Sequence, residues 1–132
     1  MSQQNRVSRW QILRQILDDL CQVEGIKAAF LASDEALHIA SVAPRLNLDE
    51  EELVGFVVRT RQMAVSLQKQ MRWSKLDEVS VESAFRDRLV IRSVQIGDQA
   101  LILTVLVAPR HPYRRSTTRA LRAIRRVWDG QR

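Results

Sequence analysis

The sequence predicts an α/β fold: a three-layer α/β/α sandwich with a five-stranded, mostly antiparallel sheet. Apolar periodicity alternates between helical and extended patterns in the order α-β-β-α-β-β-β-α. Residues 100–108 are almost wholly apolar, as expected for a central strand covered on both faces. Because the strands are joined by short turns, antiparallel hairpins are expected. Strands buried on both sides require helices on both faces, so the long middle helix should cover one face and the first and last helices the other.

The 132 residues are expected to form one domain, 1–132, that buries about two-thirds of its unfolded surface. The N-terminus lacks the apolar segment of a secretory signal, and no apolar run approaches the roughly 18 residues needed to span a bilayer. Cys21 is the only cysteine, which excludes an intrachain disulfide and predicts a buried, inert thiol. These features favour a cytoplasmic protein.

The first helix is predicted to begin at a capping box formed by Ser8 and Gln11 and to end before Gly25. Its apolar residues recur at helical spacing, at Trp10, Leu13, Leu17 and Leu20. The next residues, 26–32, are apolar at nearly every position and predict a strand buried on both faces. After a tight turn, residues 37–42 return as a second strand.

A loop at 44–48 precedes the long helix, predicted at about 50–73, whose start is capped by Asp49 together with Glu52. This helix is apolar on two sides. The larger apolar face is expected to cover the sheet and consists of Leu53, Phe56, Val57, Thr60, Met63, Ala64, Leu67 and Met71. A second patch, formed by Val54, Val58 and Val65, is expected to face outward.

The second patch suggests a surface for self-association, with a covering loop as the alternative explanation. The predicted partner seam comprises Val54, Val58, Arg61, Val65, Arg72, Val79 and Val81. On this assignment, Val58→Glu is expected to break self-association and to leave the monomer folded, because the charge would be buried only in the dimer.

Three further strands are predicted. Residues 78–82 alternate apolar and polar side chains, which is typical of an edge strand. Residues 88–96 and 100–108 form a hairpin around the turn Gly97-Asp98. Pro109 and Pro112 then interrupt the chain before the last helix.

The last helix, predicted at about 113–129, carries most of the positive charge of the chain. From residue 110 onward there are eight arginines and one acid, against a net charge of +6 for the whole chain. Its apolar side is formed by Thr117, Ala120, Leu121, Ile124, Val127 and Trp128. The opposite side carries what we call the arginine surface: Arg115, Arg119, Arg122 and Arg126. It is either a solvated helix face or an anion-binding site for an acidic membrane, nucleic acid or an acidic protein partner, although aromatic residues for base stacking are absent from it.

No catalytic arrangement is recognisable. His38 lies within a strand and His111 precedes a proline, and neither has a neighbouring nucleophile in sequence. The four glycines are scattered and form no phosphate-binding loop, and no metal-ligand spacing occurs. The sequence therefore predicts a protein that is not an enzyme, needs no cofactor and takes no small-molecule substrate.

The chain resembles the roadblock family of small domains, which includes bacterial regulators of polarity GTPases. The resemblance covers nearly everything from Trp10 to Trp128 and rests on the element order, on the terminal strand and on residues 17–29. The chain departs from the family pattern at the first turn, where Asp34-Glu35 replaces a common Asp-Gly, and in its arginine-rich last helix.

The resemblance implies a homodimer formed through the edge strand Val79–Glu82 and the long helix. It also implies an interaction module that binds or regulates a small Ras-like GTPase, or that serves as a scaffold subunit. If hydrolysis is stimulated, Arg61 and Arg72 are the candidates for a basic group supplied in trans. The alternative function is anion binding through the arginine surface. Salt should weaken that binding strongly but should spare a complex held by apolar contacts.

Overall fold

The computed structural model describes the backbone of residues 2–43, 49–84 and 86–130, and the side chains of the same ranges from residue 9 onward. Three helices and five strands follow one another in the predicted order. They are α1 (Ser2–Cys21), β1 (Ile26–Ser33), β2 (His38–Val42), α2 (Glu50–Met71), β3 (Val79–Glu82), β4 (Arg88–Ile96), β5 (Gln99–Val107) and α3 (Arg114–Asp129).

The strands form one sheet in the order β2-β1-β5-β4-β3. Every pairing is antiparallel, so the sheet is antiparallel throughout. The central position of β5 agrees with its composition, because a strand flanked on both edges and covered on both faces must be apolar along its whole length. The prediction that β3 lies at an edge is also confirmed.

One face of the sheet packs against α1 and α3. Leu13 and Leu17 of α1 and Ile124 of α3 are fully buried, and they meet the inward-facing residues of β1 and β5, such as Val105. The helices also contact each other along their length. This is the larger of the two hydrophobic cores, and it fixes α3 within a helical layer.

Of the described helices, α2 covers the opposite face of the sheet. Val57 of α2 packs with Ile91 of β4 and Ile102 of β5 in a second, smaller core. Helices therefore cover both faces of the sheet, and the predicted three-layer α/β/α sandwich is confirmed.

Two predictions about helix ends have different outcomes. Asp49 caps α2 as predicted, since its carboxylate accepts a hydrogen bond of 3.2 Å from the Glu52 N–H. The capping box at Ser8 is wrong, because α1 extends back to Ser2 and Ser8 lies within the helix. The predicted loop 44–48 lies outside the described residues.

Glycines in left-handed backbone conformations occupy two predicted positions. Gly97 (φ 66°) lies in the β4–β5 hairpin, where Ile96 pairs with Gln99. Gly25 (φ 92°) follows α1, and its carbonyl accepts a hydrogen bond of 2.7 Å from the Ala108 N–H. A Cβ atom at Gly25 would come within 2.3 Å of the His111 ring, whereas a Cβ atom at Gly97 would meet no atom within 4 Å.

Gly25→Ala is expected to lower the free energy of unfolding by about 2 kcal/mol, because it adds a steric clash to the strain of positive φ. Gly97→Ala is the matched control. It adds the strain of positive φ without a clash and should lower the free energy of unfolding by about 1 kcal/mol. Urea unfolding of both variants measures the difference. Equal losses would mean that the contact with His111 carries no energy.

Candidate interaction surfaces

The structure orients α2 differently from the prediction, although Val57 is buried against the sheet as expected. Val54 and Val58, expected on the outer surface, are 4% and 7% exposed and pack against the sheet beside Val57. The prediction that they form an exposed partner seam is therefore wrong within this chain. The structure also contradicts the expectation that Val58→Glu leaves the monomer folded, because a glutamate there would be buried against β4 and β5.

The other residues of the predicted partner seam lie in different surroundings. Val65 and Val79 are half-buried, and Arg61 donates a hydrogen bond of 3.3 Å from Nε to the Ser93 hydroxyl on β4. Arg72 is exposed in a left-handed conformation at the end of α2, and Val81 is exposed on β3. The structure does not bring the seven residues into one exposed surface.

The reason for the difference is that α2 is apolar on two sides. Helical periodicity identifies both sides but contains no information about which one meets the sheet. The larger set of apolar residues was expected to face inward. The sheet in fact selects the short β-branched valines, which allow the helix to approach closely.

An apolar stripe on α2 is consequently exposed. We call it the α2 stripe; it consists of Phe56 (44% exposed), Met63 (74%), Leu67 (48%) and Met71 (54%). These side chains recur at intervals of seven and four residues and therefore share one side of the helix. Trp73, 51% exposed, follows just beyond the helix. Exposed apolar side chains grouped in this way are typical of surfaces that bind a protein, a ligand or a membrane.

The outer edge of β3 lies next to this helix. β3 pairs with β4 along one side only, and α2 packs across β3. Val81, at 47% exposure, adds an apolar side chain to this edge. An unpaired strand edge can add a further strand from another chain. We call the β3 edge and the α2 stripe together the composite surface.

On α3, the predicted division into two faces is confirmed. Thr117, Ala120, Leu121 and Ile124 are buried, while Val127 and Trp128 are half-buried. All four residues of the arginine surface are exposed. Together with Arg114 and Thr118 they line an open cavity of about 470 Å³.

A buried arginine that the sequence analysis missed lies beneath this cavity. Arg92 of β4 is 8% exposed, and its Nη1 donates hydrogen bonds of 2.8 Å to the hydroxyls of both Thr117 and Thr118. Nη1 also donates to the Arg114 carbonyl at 3.2 Å, and Nη2 lies 3.5 Å from the Asp77 carboxylate. A charged residue within a mostly apolar strand was the available signal. Arg92 joins β4, α3 and the segment before β3.

The first turn of α3 is held by an acidic pair. Arg114 forms ion pairs with Asp77 and with Glu78, the latter at 2.7 Å, and Glu78 also accepts the Tyr113 hydroxyl. The hydrogen bond and charge of Arg114 hold the pKa of Asp77 below its usual range. Burial, followed by the hydrogen bond to Glu78, raises the pKa of Tyr113. Arg114 is therefore neutralised by acids of its own chain.

The remaining candidate residues of the sequence analysis form no reactive group. His38 lies 3.3 Å from the Glu50 carboxylate on the surface, and His111 packs its ring on Gly25. Cys21 is half-buried, and burial, reinforced by the charge of Asp18, raises the pKa of its thiol to about 11. The thiol is therefore protonated at neutral pH.

In the described part of the chain, no group of three or more His, Cys, Asp or Glu residues is placed to hold a metal ion. None of the described helices combines the length and the apolar character needed to cross a lipid bilayer.

Comparison with known proteins gives matches in structure but not in sequence. No family model matches the chain. No curated protein matches it either. MglB of Myxococcus xanthus is 18% identical and superposes with a TM-score of 0.81 over 92% of this chain and 90% of its own.

Two further solved structures superpose over most of their length. An MglB with a tetrameric arrangement is 17% identical, with a TM-score of 0.78 over 92% of this chain and 91% of its own. A Roadblock/LC7 domain from Streptomyces avermitilis is 16% identical, with a TM-score of 0.70 over 89% and 95%. At such low identity these matches concern the fold. The chain therefore has the roadblock fold, as its resemblance to that family predicts.

Proposed function

We propose that this chain is a non-catalytic interaction module that self-associates through the α2 stripe and the β3 edge and binds or regulates a small Ras-like GTPase. The observation that carries the proposal is the α2 stripe. Four large apolar side chains on one side of a single helix are costly to leave in water. A second copy of the chain, presenting the same stripe, would bury all of them.

The geometry of the surface fits a two-fold dimer. If two β3 edges pair in antiparallel fashion, the two-fold axis is perpendicular to the sheet, which then continues across both copies. The same axis brings the two α2 helices together on one face of that sheet. Both parts of the composite surface are used at once. The tetrameric arrangement of a structural neighbour, MglB, fits this tendency of the fold to assemble.

Regulation of a GTPase is supported by the resemblance to roadblock domains, which implies such a partner. Of the two arginines considered as basic groups in trans, Arg61 is bonded to Ser93 and half-buried. Arg72 is exposed at the end of α2 and is therefore the better placed of the two. We propose that Arg72 contacts the GTPase, and we assign it no catalytic role within this chain.

The test is an affinity capture from lysate of the source cells, with the nucleotide state fixed by adding excess GDP or a non-hydrolysable GTP analogue. We expect mass spectrometry to identify a small GTPase enriched in one nucleotide state. Its GTP hydrolysis rate is then measured with and without the purified chain. Arg72→Ser is expected to weaken capture, while Arg59→Ser, an exposed arginine of the same helix, should not.

Capture of the same proteins in both nucleotide states, with no GTP-binding protein among them, would contradict GTPase regulation. Enrichment of another roadblock-type domain in place of a GTPase would instead support the role of a scaffold subunit.

A further inference from the structure

We propose that the arginine surface of α3 docks the chain electrostatically on an acidic phospholipid membrane. This role is separate from the proposed function, because α3 and α2 lie on opposite faces of the sheet. The proposal rests on the pairing of charges around α3, on the shape of the surrounding surface and on the chemistry that each class of anion requires.

The side chains of the arginine surface take no part in the polar interactions found within the described fold. Among the salt bridges and side-chain hydrogen bonds found in the described part of the chain, none involves Arg115, Arg119, Arg122 or Arg126. Arg115 and Arg119, like Arg122 and Arg126, are separated by four residues on the helix. Like charges at this spacing repel each other and destabilise a helix.

The acids near the start of α3 are already engaged. Asp77 and Glu78 pair with Arg114, and Asp77 also faces Arg92. Asp129, which has an interaction of its own, lies beyond the last arginine of the surface. Asp19 of α1 lines a cleft together with Arg119, but its carboxylate accepts a hydrogen bond of 2.8 Å from Gln15. Among the salt bridges found in the described residues, none joins an acid to the arginine surface, so its positive charge is available to an external anion.

The cationic surface extends beyond the arginine surface. A cleft of about 160 Å³ between α3 and the segment before β3 is lined by Lys75 and Arg125, and also by Arg92 and Asp77, which lie 3.5 Å apart. It adjoins the cavity of about 470 Å³, because Thr118 and Arg122 line both. The cationic area is therefore broader than one line of side chains and can meet several phosphate groups at once. Guanidinium groups suit this role because they bind phosphate oxygens in a bidentate manner.

The surroundings of α3 favour one class of anion. A folded acidic protein would need apolar anchors at the centre of its interface, and none of the large exposed apolar side chains of the described residues belongs to α3. Single-stranded nucleic acid would need aromatic rings for stacking among the arginines. The exposed Trp10 of α1 instead packs edge-on against Trp128, on the apolar side of α3, and Arg9 covers the Trp128 ring.

Double-stranded DNA is also a poor fit. A helix reads the major groove when it projects from the protein, whereas α3 lies within a layer beside α1. An acidic membrane requires neither stacking nor insertion. It needs only an accessible area of unpaired positive charge, which attracts the surface of anionic lipids.

The experiment is co-sedimentation of the purified chain with vesicles of phosphatidylcholine alone or with about 30% phosphatidylserine, a composition that gives a strongly negative surface. We expect binding to the acidic vesicles alone at about 50 mM salt, with a fall of at least about tenfold at 300 mM, since salt screens such contacts. Arg122→Glu/Arg126→Glu should reduce the affinity for acidic vesicles at least about a hundredfold. The two reversals change the charge by four units, and each unit near the membrane contributes about fivefold.

The matched control is Arg59→Glu/Lys69→Glu, which makes the same change in net charge at exposed positions of α2. It should retain the affinity of the wild type to within about threefold, as expected when the location of charge decides binding. Replacement of all four surface arginines by Ser is a second loss variant. It should keep the cooperative thermal unfolding of the wild type, because the arginines lie opposite the core.

Several outcomes would overturn the proposal. The proposal is wrong if Arg59→Glu/Lys69→Glu weakens vesicle binding as much as Arg122→Glu/Arg126→Glu does. It is also wrong if salt does not weaken the binding, or if the wild type does not bind acidic vesicles. Binding of a fluorescent oligonucleotide in place of vesicles under the same conditions would assign the arginine surface to nucleic acid. Since the salt titration uses the wild-type chain, a variant that fails to fold does not prevent the test.

Discussion

Met63→Glu is expected to convert the self-associated chain into a folded monomer. Met63 is 74% exposed within the chain, so a glutamate there is solvated in the monomer and buried only where two α2 stripes meet. Burying an unpaired carboxylate costs about 3–5 kcal/mol, which raises the dimer Kd at least about a hundredfold. Light scattering over a range of concentrations measures the mass, and circular dichroism checks the fold. Met63→Leu is the control and should remain associated.

Val58→Glu, placed on the same helix, is expected to have the opposite phenotype. Val58 is 7% exposed and packs on the sheet, so the charge is buried within the monomer itself. The free energy of unfolding should fall by about 4 kcal/mol or more, which is comparable with the whole stability of many small domains. Most of the cooperative unfolding transition of the variant should therefore disappear. A dimeric Met63→Glu variant, or a folded Val58→Glu monomer, would contradict the orientation of α2 described above.

Arg92→Met is expected to lower the free energy of unfolding by about 2–3 kcal/mol, because hydrogen bonds to a charged group are stronger than neutral ones. The variant loses the bonds to Thr117, Thr118 and the Arg114 carbonyl that tie α3 to β4. Urea unfolding gives the value.

The control for Arg92 is Arg61→Met, on the other face of the sheet. Arg61 donates a hydrogen bond of 3.3 Å to Ser93, so its replacement by Met should lower the free energy of unfolding by about 1 kcal/mol. Replacing a buried ion by an apolar side chain can also be neutral, and the Arg92 Nε has no hydrogen-bond partner among the described atoms. An Arg92→Met variant as stable as the wild type would mean that Arg92 serves specificity of packing and adds no net stability.

Self-association and membrane docking, if both hold, would act together. A two-fold pairing of β3 edges keeps α3 of both copies on the same side of the continuous sheet, away from the paired α2 helices. Two arginine surfaces would then face one membrane, and binding of the first copy would raise the effective concentration of the second. Met63→Glu is consequently expected to weaken vesicle binding indirectly, whereas Arg122→Glu/Arg126→Glu should leave the mass of the dimer unchanged.

Much of the fold could be predicted because it depends on local patterns. The run of apolar residues in β5 requires a strand that is covered on both faces, and Gly97-Asp98 requires a tight turn between β4 and β5. On α3, apolar and basic residues lie on opposite sides, so only one orientation on the core is possible. The start of α1 was predicted wrongly, since Ser8 and Gln11 form a capping pattern that the preceding residues override by continuing the helix.

The candidate site could be predicted only in part. The arginine surface follows from the spacing of α3. A charge within the apolar strand β4 indicates Arg92, but its partners are distant in sequence, from Asp77 to Thr118, and no local pattern identifies them. Of the predicted partner seam, Val54 and Val58 are buried against the sheet, and the apolar side chains that α2 exposes are those of the α2 stripe.

By itself, then, the sequence determined the order of the elements, the buried strands, the edge position of β3 and the two faces of α3. Each of these depends on a single dominant periodicity. The tertiary structure alone decided which side of α2 meets the sheet, because both sides are apolar and only the fit of Val54, Val57 and Val58 against Ile91 and Ile102 distinguishes them. That choice exposes Met63 and its neighbours, and with them the surface proposed for self-association.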